Sequence, residues 1–173
     1  MNANLAAWNK AGESEALDAM LACCGSKRWA TAMVGLRPIA SLEELSDAAD
    51  RAWGTMLESD WLEAFACHPR IGERNPALVA AHASAKSSAW SRQEQSSAVT
   101  VNESVLAELT EGNHLYEQRF GFTYIICATG RSADEMLAIL KRRLSSNRDS
   151  ELREAAEQQR QILQIRLGKW LVE

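Results

Sequence analysis

The run FTYIICA, Phe122 to Ala128, decides the fold class. It is the one stretch of the 173-residue chain whose β-branched and aromatic content suits a strand. A strand needs a neighbour to take its backbone hydrogen bonds, and one lone strand has no partner here. The run is therefore expected to be buried, and either extended or helical, leading into a break at Thr129-Gly130. With it set aside, the chain reads as all-α: a compact bundle of about eight helices forming a single domain over residues 1–173.

Helical period governs the flanks. After the break, Ser132 with Glu135 forms a capping box that opens a helix carrying Met136, Leu137, Leu140 and Leu144. Before it, Val99 to Leu109 continue a helical segment toward Gly112, and a further segment runs from Asn113 to Phe120, ended by Gly121. The clearest start signal is Ser41-Leu-Glu-Glu44, from which Leu42, Leu45, Ala49, Ala52, Trp53, Met56 and Leu57 form one stripe at i, i+3, i+4 spacing. Leu17, Met20 and Leu21 mark an earlier helix that stops at Gly25. Ser26 then caps one carrying Trp29, Met33 and Leu36, ended by Pro38. A short helix is expected over Asp60 to Ala66, and Asn75-Pro76 reads as the start of another through Ala85. The stretch from Ser84 to Ser97 is polar and serine-rich.

Composition narrows the function classes. A net charge of −4 opposes nucleic-acid binding, which needs a basic face. No window approaches the eighteen or so apolar residues that a membrane span requires, and the N-terminus carries no basic region followed by an apolar run. The four cysteines show no zinc or redox spacing and read as reduced, mostly buried thiols. A cytoplasmic protein with no membrane partner is expected. Neither His-x-x-x-His nor paired Glu-x-x-His occurs, so no metal site is expected.

The last helix, about Asp149 to Leu171, holds an anomaly. At 100° per residue, Leu152, Gln159, Ile162, Leu163 and Trp170 lie within about 60° of Arg166, which therefore sits on the apolar face. Such a guanidinium must snorkel, pair with a carboxylate or bind something anionic. His68 is the second candidate. Pro69 after it forces an extended conformation and holds the imidazole at a chain reversal, which Gly72 permits. Arg70, Glu73 and Arg74 read as a local ion-pair set, and His82 and His114 as solvent-facing or structural. Glu94 is the third, in Ser91-Arg92-Gln93-Glu94-Gln95. Ser91-x-x-Glu94 has the pattern of a capping box, and a helix N-terminus there offers free amides to an anion. Gln95 carries both a donor and an acceptor suited to a ureido group.

Taken together these motifs resemble the 2-oxo-4-hydroxy-4-carboxy-5-ureidoimidazoline (OHCU) decarboxylases of urate breakdown, in a bacterial version. The resemblance rests on CCGSKRWA from Cys23 to Ala30, Arg37-Pro38, AFACHPRIGE from Ala64 to Glu73, the S-x-x-E-Q of Ser91 to Gln95, the N-x-x-Y of Asn113 to Tyr116, RFGFTYIICATGR from Arg119 to Arg131, and Ile165-Arg166-Leu167. It implies an all-helical, usually dimeric enzyme, free of metal or organic cofactor, that converts OHCU to (S)-allantoin and carbon dioxide. It further implies His68 as the catalytic acid with Glu94 as its polar partner, and Arg166 holding an anionic group of the substrate. Pro69, Ser91, Arg92, Gln93, Glu94 and Gln95 would contact the substrate, as would the backbone of Ile126, Cys127, Ala128, Thr129 and Gly130. The small pair Thr129-Gly130 leaves that segment its backbone amides more than its side chains.

The chemistry suits these residue types. Loss of carbon dioxide leaves an electron pair on carbon, and OHCU delocalises it through its own ring carbonyl and carbon–nitrogen unsaturation. The protein must orient the carboxylate, stabilise the developing charge and deliver a proton to one face. An imidazolium does the last near neutral pH. An arrangement in which Glu94 takes the hydroxyl proton and His68 acts as base fits the same residues. Two rival readings predict different things. A helical interaction module would pair Arg166 with Glu94 or another acid to specify the core. A helical hydrolase of ureido or cyclic amide bonds would need a nucleophile, for which Cys67 beside His68 is the one hint.

Overall fold

The computed structural model describes residues 2–72, 84–96 and 103–173. Among these there are nine helices and no strand, in agreement with the all-α reading. The helix expected to start at Asn75-Pro76 and the segment around Val99 to Val101 lie outside the described residues, apart from their last residues. The chain packs as two units, one formed by Met1–Ala64 with Arg160–Glu173, the other by Phe65–Gln159.

The first unit contains α1 (Ala3–Lys10), α2 (Glu13–Cys23), α3 (Lys27–Gly35), α4 (Leu42–Gly54), most of α5 (Glu58–Ala66) and the latter half of α9 (Arg148–Val172). Ser26 caps α3 by accepting from the Trp29 amide, as its position predicts. Ser41 caps α4 in the same way at 3.0 Å, while Glu44 reaches back to the Ala40 amide at 2.7 Å rather than to that of Ser41. Of the α4 stripe, Leu45, Ala49, Ala52, Trp53 and Met56 are buried. Leu42 and Leu57, at its two ends, are exposed, as is Leu36 at the end of α3. Arg37 gathers helix-end carbonyls, donating from Nη1 to Trp8 and Ala11 (2.8 Å each) and from Nε to Val34 at 3.2 Å. At the other terminus, Asn2 and Asn4 donate to the Leu171 and Trp170 carbonyls of α9, both at 2.9 Å. Gln164 and Arg160 on α9 bond to Ser46 and Asp50 on α4.

The second unit contains α6 (Ala85–Glu94), α7 (Glu103–Phe120), α8 (Ala133–Arg143) and the start of α9. The two segments expected on either side of Gly112 are one helix, α7. Gly112 has a packing reason to be there: a Cβ at this position would stand 2.5 Å from Leu140 Cδ2 on α8. The Ser132–Glu135 capping box is formed in both directions. Phe65, Tyr116, Phe120, Phe122 and Tyr124 make a linked aromatic core, with ring centroids 4.7 to 6.2 Å apart.

FTYIICA is neither helix nor strand, and Tyr124 to Ala128 are buried. Side chains do for its backbone what a neighbouring strand would. Arg143 Nη1 donates to the Ile125 carbonyl (2.7 Å), Gln158 Oε1 accepts from the Cys127 amide (2.9 Å), and Arg131 Nε donates to the Cys127 carbonyl (3.0 Å). The run ends in a turn closed by the Arg131 amide on the Ala128 carbonyl, with Gly130 at φ +79°.

Arg143 is the centre of a buried polar cluster. It and Glu151 are wholly inaccessible and form an ion pair, with Arg143 Nε also 2.6 Å from Glu151 Oε1. Tyr116 Oη donates to the same carboxylate oxygen and accepts from Arg143 Nη2 at 3.2 Å. Burial, outweighing the neighbouring guanidinium, pushes the Tyr116 phenol far above its ordinary range, so it stays a neutral donor.

Candidate functional site

His68 lies just beyond α5, after Cys67. Its amide donates to the Phe65 carbonyl at 3.0 Å, closing the turn, and the residue is half-buried with Pro69 beside it. The loop is braced across the unit. Asn113 Nδ2 donates to the Ile71 carbonyl (2.8 Å), and Arg70 makes a two-pronged bond to Glu117, 2.7 Å on each prong. Arg70 thus binds an acid on α7, while Glu73 and Arg74, the other members of the expected ion-pair set, lie outside the described residues, as does His82. Gly72, at φ +80°, makes the expected reversal. His114 is exposed.

The Ser91-x-x-Glu94 segment is not a helix start. Ser84 caps α6, accepting from the Ser87 amide at 3.1 Å, and the helix runs to Glu94 with Gln95 as its C-cap. An earlier serine one turn ahead of a helix-competent run captures the free amides first, so Ser91 falls in the last turn. Glu94 therefore stands at the carbonyl, negative end of the helix, which disfavours an anion and suits N–H donors. Ser91 is buried, Glu94 and Gln95 are half-buried, and Arg92 and Gln93 are exposed. Arg92 complements the helix end as a last-turn base.

Ile126, Cys127 and Ala128 are buried, and Thr129 and Gly130 are exposed on the turn. The Cys127 amide is taken by Gln158. Thus His68, Pro69, Ser91 to Gln95 and Ile126 to Gly130 all belong to the Phe65–Gln159 unit, whereas Arg166 belongs to the other. Arg166 is 1% exposed, so it does not snorkel to solvent. All four cysteines are buried and outside any disulfide, which leaves Cys67 poorly presented as a nucleophile. Among the described residues no three His, Cys, Asp or Glu side chains gather as a metal site, and no helix is long and apolar enough to cross a membrane. A pocket of about 170 Å³ between α1, α2 and Trp170 contains none of the predicted site residues.

Sequence reasoning missed Arg143, Glu151 and Gln158, while Gln159 is buried on the face of α9 where its helical angle put it. For Glu151 the signal is positional: Glu151, Ala155 and Gln159 repeat every four residues on the buried face of α9.

Comparison with known proteins places the chain. The sequence profile of the family described as OHCU decarboxylase matches residues 9–168. A uric acid degradation bifunctional protein of Arabidopsis thaliana is 39% identical over 148 residues, 85% of this chain but 44% of that protein. The chain thus spans less than half the length of that relative. A 2-oxo-4-hydroxy-4-carboxy-5-ureidoimidazoline decarboxylase of Haloferax volcanii is 28% identical over 77% of this chain and 74% of its own. Among solved structures, an OHCU decarboxylase crystallised in the presence of (S)-allantoin matches with a TM-score of 0.75 and 35% identity, over 90% of this chain and 99% of that one.

Proposed function

The chain belongs to the OHCU decarboxylase family, and we propose from that premise that it converts OHCU to (S)-allantoin and carbon dioxide, without a cofactor, as a step of urate breakdown. The observation that carries this reading is the match to nearly the full length of a solved OHCU decarboxylase. Within it, Arg166 holds an anionic group of the substrate. The bond to the carboxylate carbon breaks, its electron pair passes into the ring's carbon–nitrogen unsaturation, and His68 gives a proton to carbon on one face. Glu94, with the carbonyl end of α6 beside it, accepts from the substrate hydroxyl or a ureido N–H. Pro69, Ser91 to Gln95 and the Ile126 to Gly130 backbone line the substrate. Burial of Arg166 supports its part, because a guanidinium withheld from water strengthens its hold on an anion. General acid catalysis supplies about 10²–10⁴-fold, so positioning by the other groups supplies the remainder.

The chain acts in this reading as a single catalytic domain over residues 1–173, as a homodimer, and in a reducing cytoplasm, where four buried thiols keep their reduced form. Light scattering giving twice the chain mass of 19.1 kDa supports the dimer, and a monomer at micromolar concentration refutes it. The activity is tested by supplying freshly generated OHCU and following carbon dioxide release with the optical sign of the product. The wild-type protein yields the (S) enantiomer faster than spontaneous decay, and a racemate at the uncatalysed rate defeats the proposal. His68→Asn is expected to lose about 10²–10⁴-fold in kcat. Arg166→Leu, if folded, is expected to raise KM, and an unchanged KM returns that residue to a structural part.

A further inference from the structure

One polar side chain in the second unit is left without a partner by the fold. Gln159 is wholly buried, and neither its Oε1 nor its Nε2 has a hydrogen-bond partner. A carboxamide brings two donors and an acceptor, and keeping all of them dry is unfavourable unless something else satisfies them. The other glutamines of α9 whose bonds are resolved show what a structural glutamine does here. Gln158 takes the Cys127 amide, and Gln164 bonds to Ser46 and Asp50. For packing alone a leucine at 159 fills the same space at no such cost.

Gln159 lies on the buried face of α9, between Ala155 and Leu163, both fully inaccessible and four residues to either side. Seven residues on, two helical turns, the same face carries Arg166. Its neighbour Gln158 ties this turn of α9 to the Ile126–Gly130 segment through the Cys127 amide.

We propose that Gln159 is a specificity-determining residue that pairs its carboxamide with the ureido group of the substrate, N–H to Oε1 and C=O to Nε2. The proposal rests on the reading of the chain as an OHCU decarboxylase. A ureido group presents a donor and an acceptor side by side, the complement of a primary carboxamide, and neutral-to-neutral pairing needs no counter-charge in a buried place. Once ligand is bound the unpartnered atoms are satisfied, so selection for binding accounts for a residue that packing disfavours.

The test separates binding from structure, because the two roles move stability and affinity in different directions. Gln159→Leu removes an unsatisfied polar group, so Tm is expected to hold or rise, while KM for freshly generated OHCU rises roughly tenfold or more, the effect of one or two lost hydrogen bonds. Calorimetric affinity for (S)-allantoin falls by a similar factor, and kcat changes less than KM. Gln159→Met, unbranched and of matching length, gives the same result if leucine packs poorly. Hydantoin, which has the ring but lacks the ureido arm, binds wild type and variant alike. An active wild type with unchanged KM and allantoin affinity in both variants overturns this inference alone. A wild type that forms no excess of (S)-allantoin overturns the decarboxylase reading, and this inference with it.

Discussion

Replacing Arg143 by leucine tests how the second unit is held together. The guanidinium donates to Glu151 from Nε at 2.6 Å and pairs with it again through Nη2, donates to the Ile125 carbonyl at 2.7 Å, and reaches Tyr116 Oη at 3.2 Å, with both charged side chains wholly inaccessible. Arg143→Leu leaves the Glu151 carboxylate with the Tyr116 hydroxyl as its remaining donor among the described residues, since its Oε2 already lacks a partner, and strips the Ile125 carbonyl of the guanidinium's hydrogen bond. Orphaning one member of a buried pair costs about 3–5 kcal/mol. That is a large share of the roughly 5–15 kcal/mol that holds a domain folded. Urea titration followed by helical circular dichroism measures it as a lower midpoint at constant slope. Replacing both partners, Arg143→Leu with Glu151→Leu, removes the stranded charge and is expected to be more stable than Arg143→Leu alone. The reasoning is refuted if the single substitution costs less than about 1 kcal/mol, or if the double variant is less stable than the sum of the two single losses predicts.

Three further outcomes follow from local geometry. Ser84→Ala removes the α6 cap and is expected to cost about 0.5–2 kcal/mol, with faster hydrogen exchange in the first turn; if Ser91→Ala frayed that turn instead, the assigned helix start would be wrong. Gly112→Ala drives a methyl to 2.5 Å from Leu140 and is expected to lose about 1–2 kcal/mol after allowing for alanine's better helix propensity, with Leu140→Val restoring part of it in a double-mutant cycle. Glu135 has its carboxyl held below the ordinary 4.5 by the Ser132 amide and hydroxyl. Its folded pKa being depressed, its contribution is present above 4.5 and lost as pH falls below it, so melting curves of wild type and Glu135→Gln converge in acid and differ at neutral pH.

The surroundings of the proposed site were legible in parts. The turn at His68 was legible because proline after it and glycine four residues on constrain the chain locally, and the burial of Arg166 because its helix is long enough for its angle on the apolar face to be counted. The setting of Glu94 was not legible. Ser91-x-x-Glu94 and Ser132-x-x-Glu135 have the same local pattern, yet only the second opens a helix. Nothing within four residues distinguishes them; the difference is the competing serine at 84.

Local chemistry determined the helical class, the starts at Ser26, Ser41 and Ser132, and the burial of Arg166, since caps and apolar periods are written within a few residues of where they act. Tertiary structure decided what FTYIICA is. Arg143, Gln158 and Arg131, up to about thirty residues away along the chain, supply the hydrogen bonds a second strand would have supplied. It likewise decided that Arg143 and Glu151, which look like surface charges, are core, and that Gln159 is left with nothing to bond. Satisfying a buried polar group is a condition on three-dimensional neighbours, and a linear sequence records the groups without recording which of them meet.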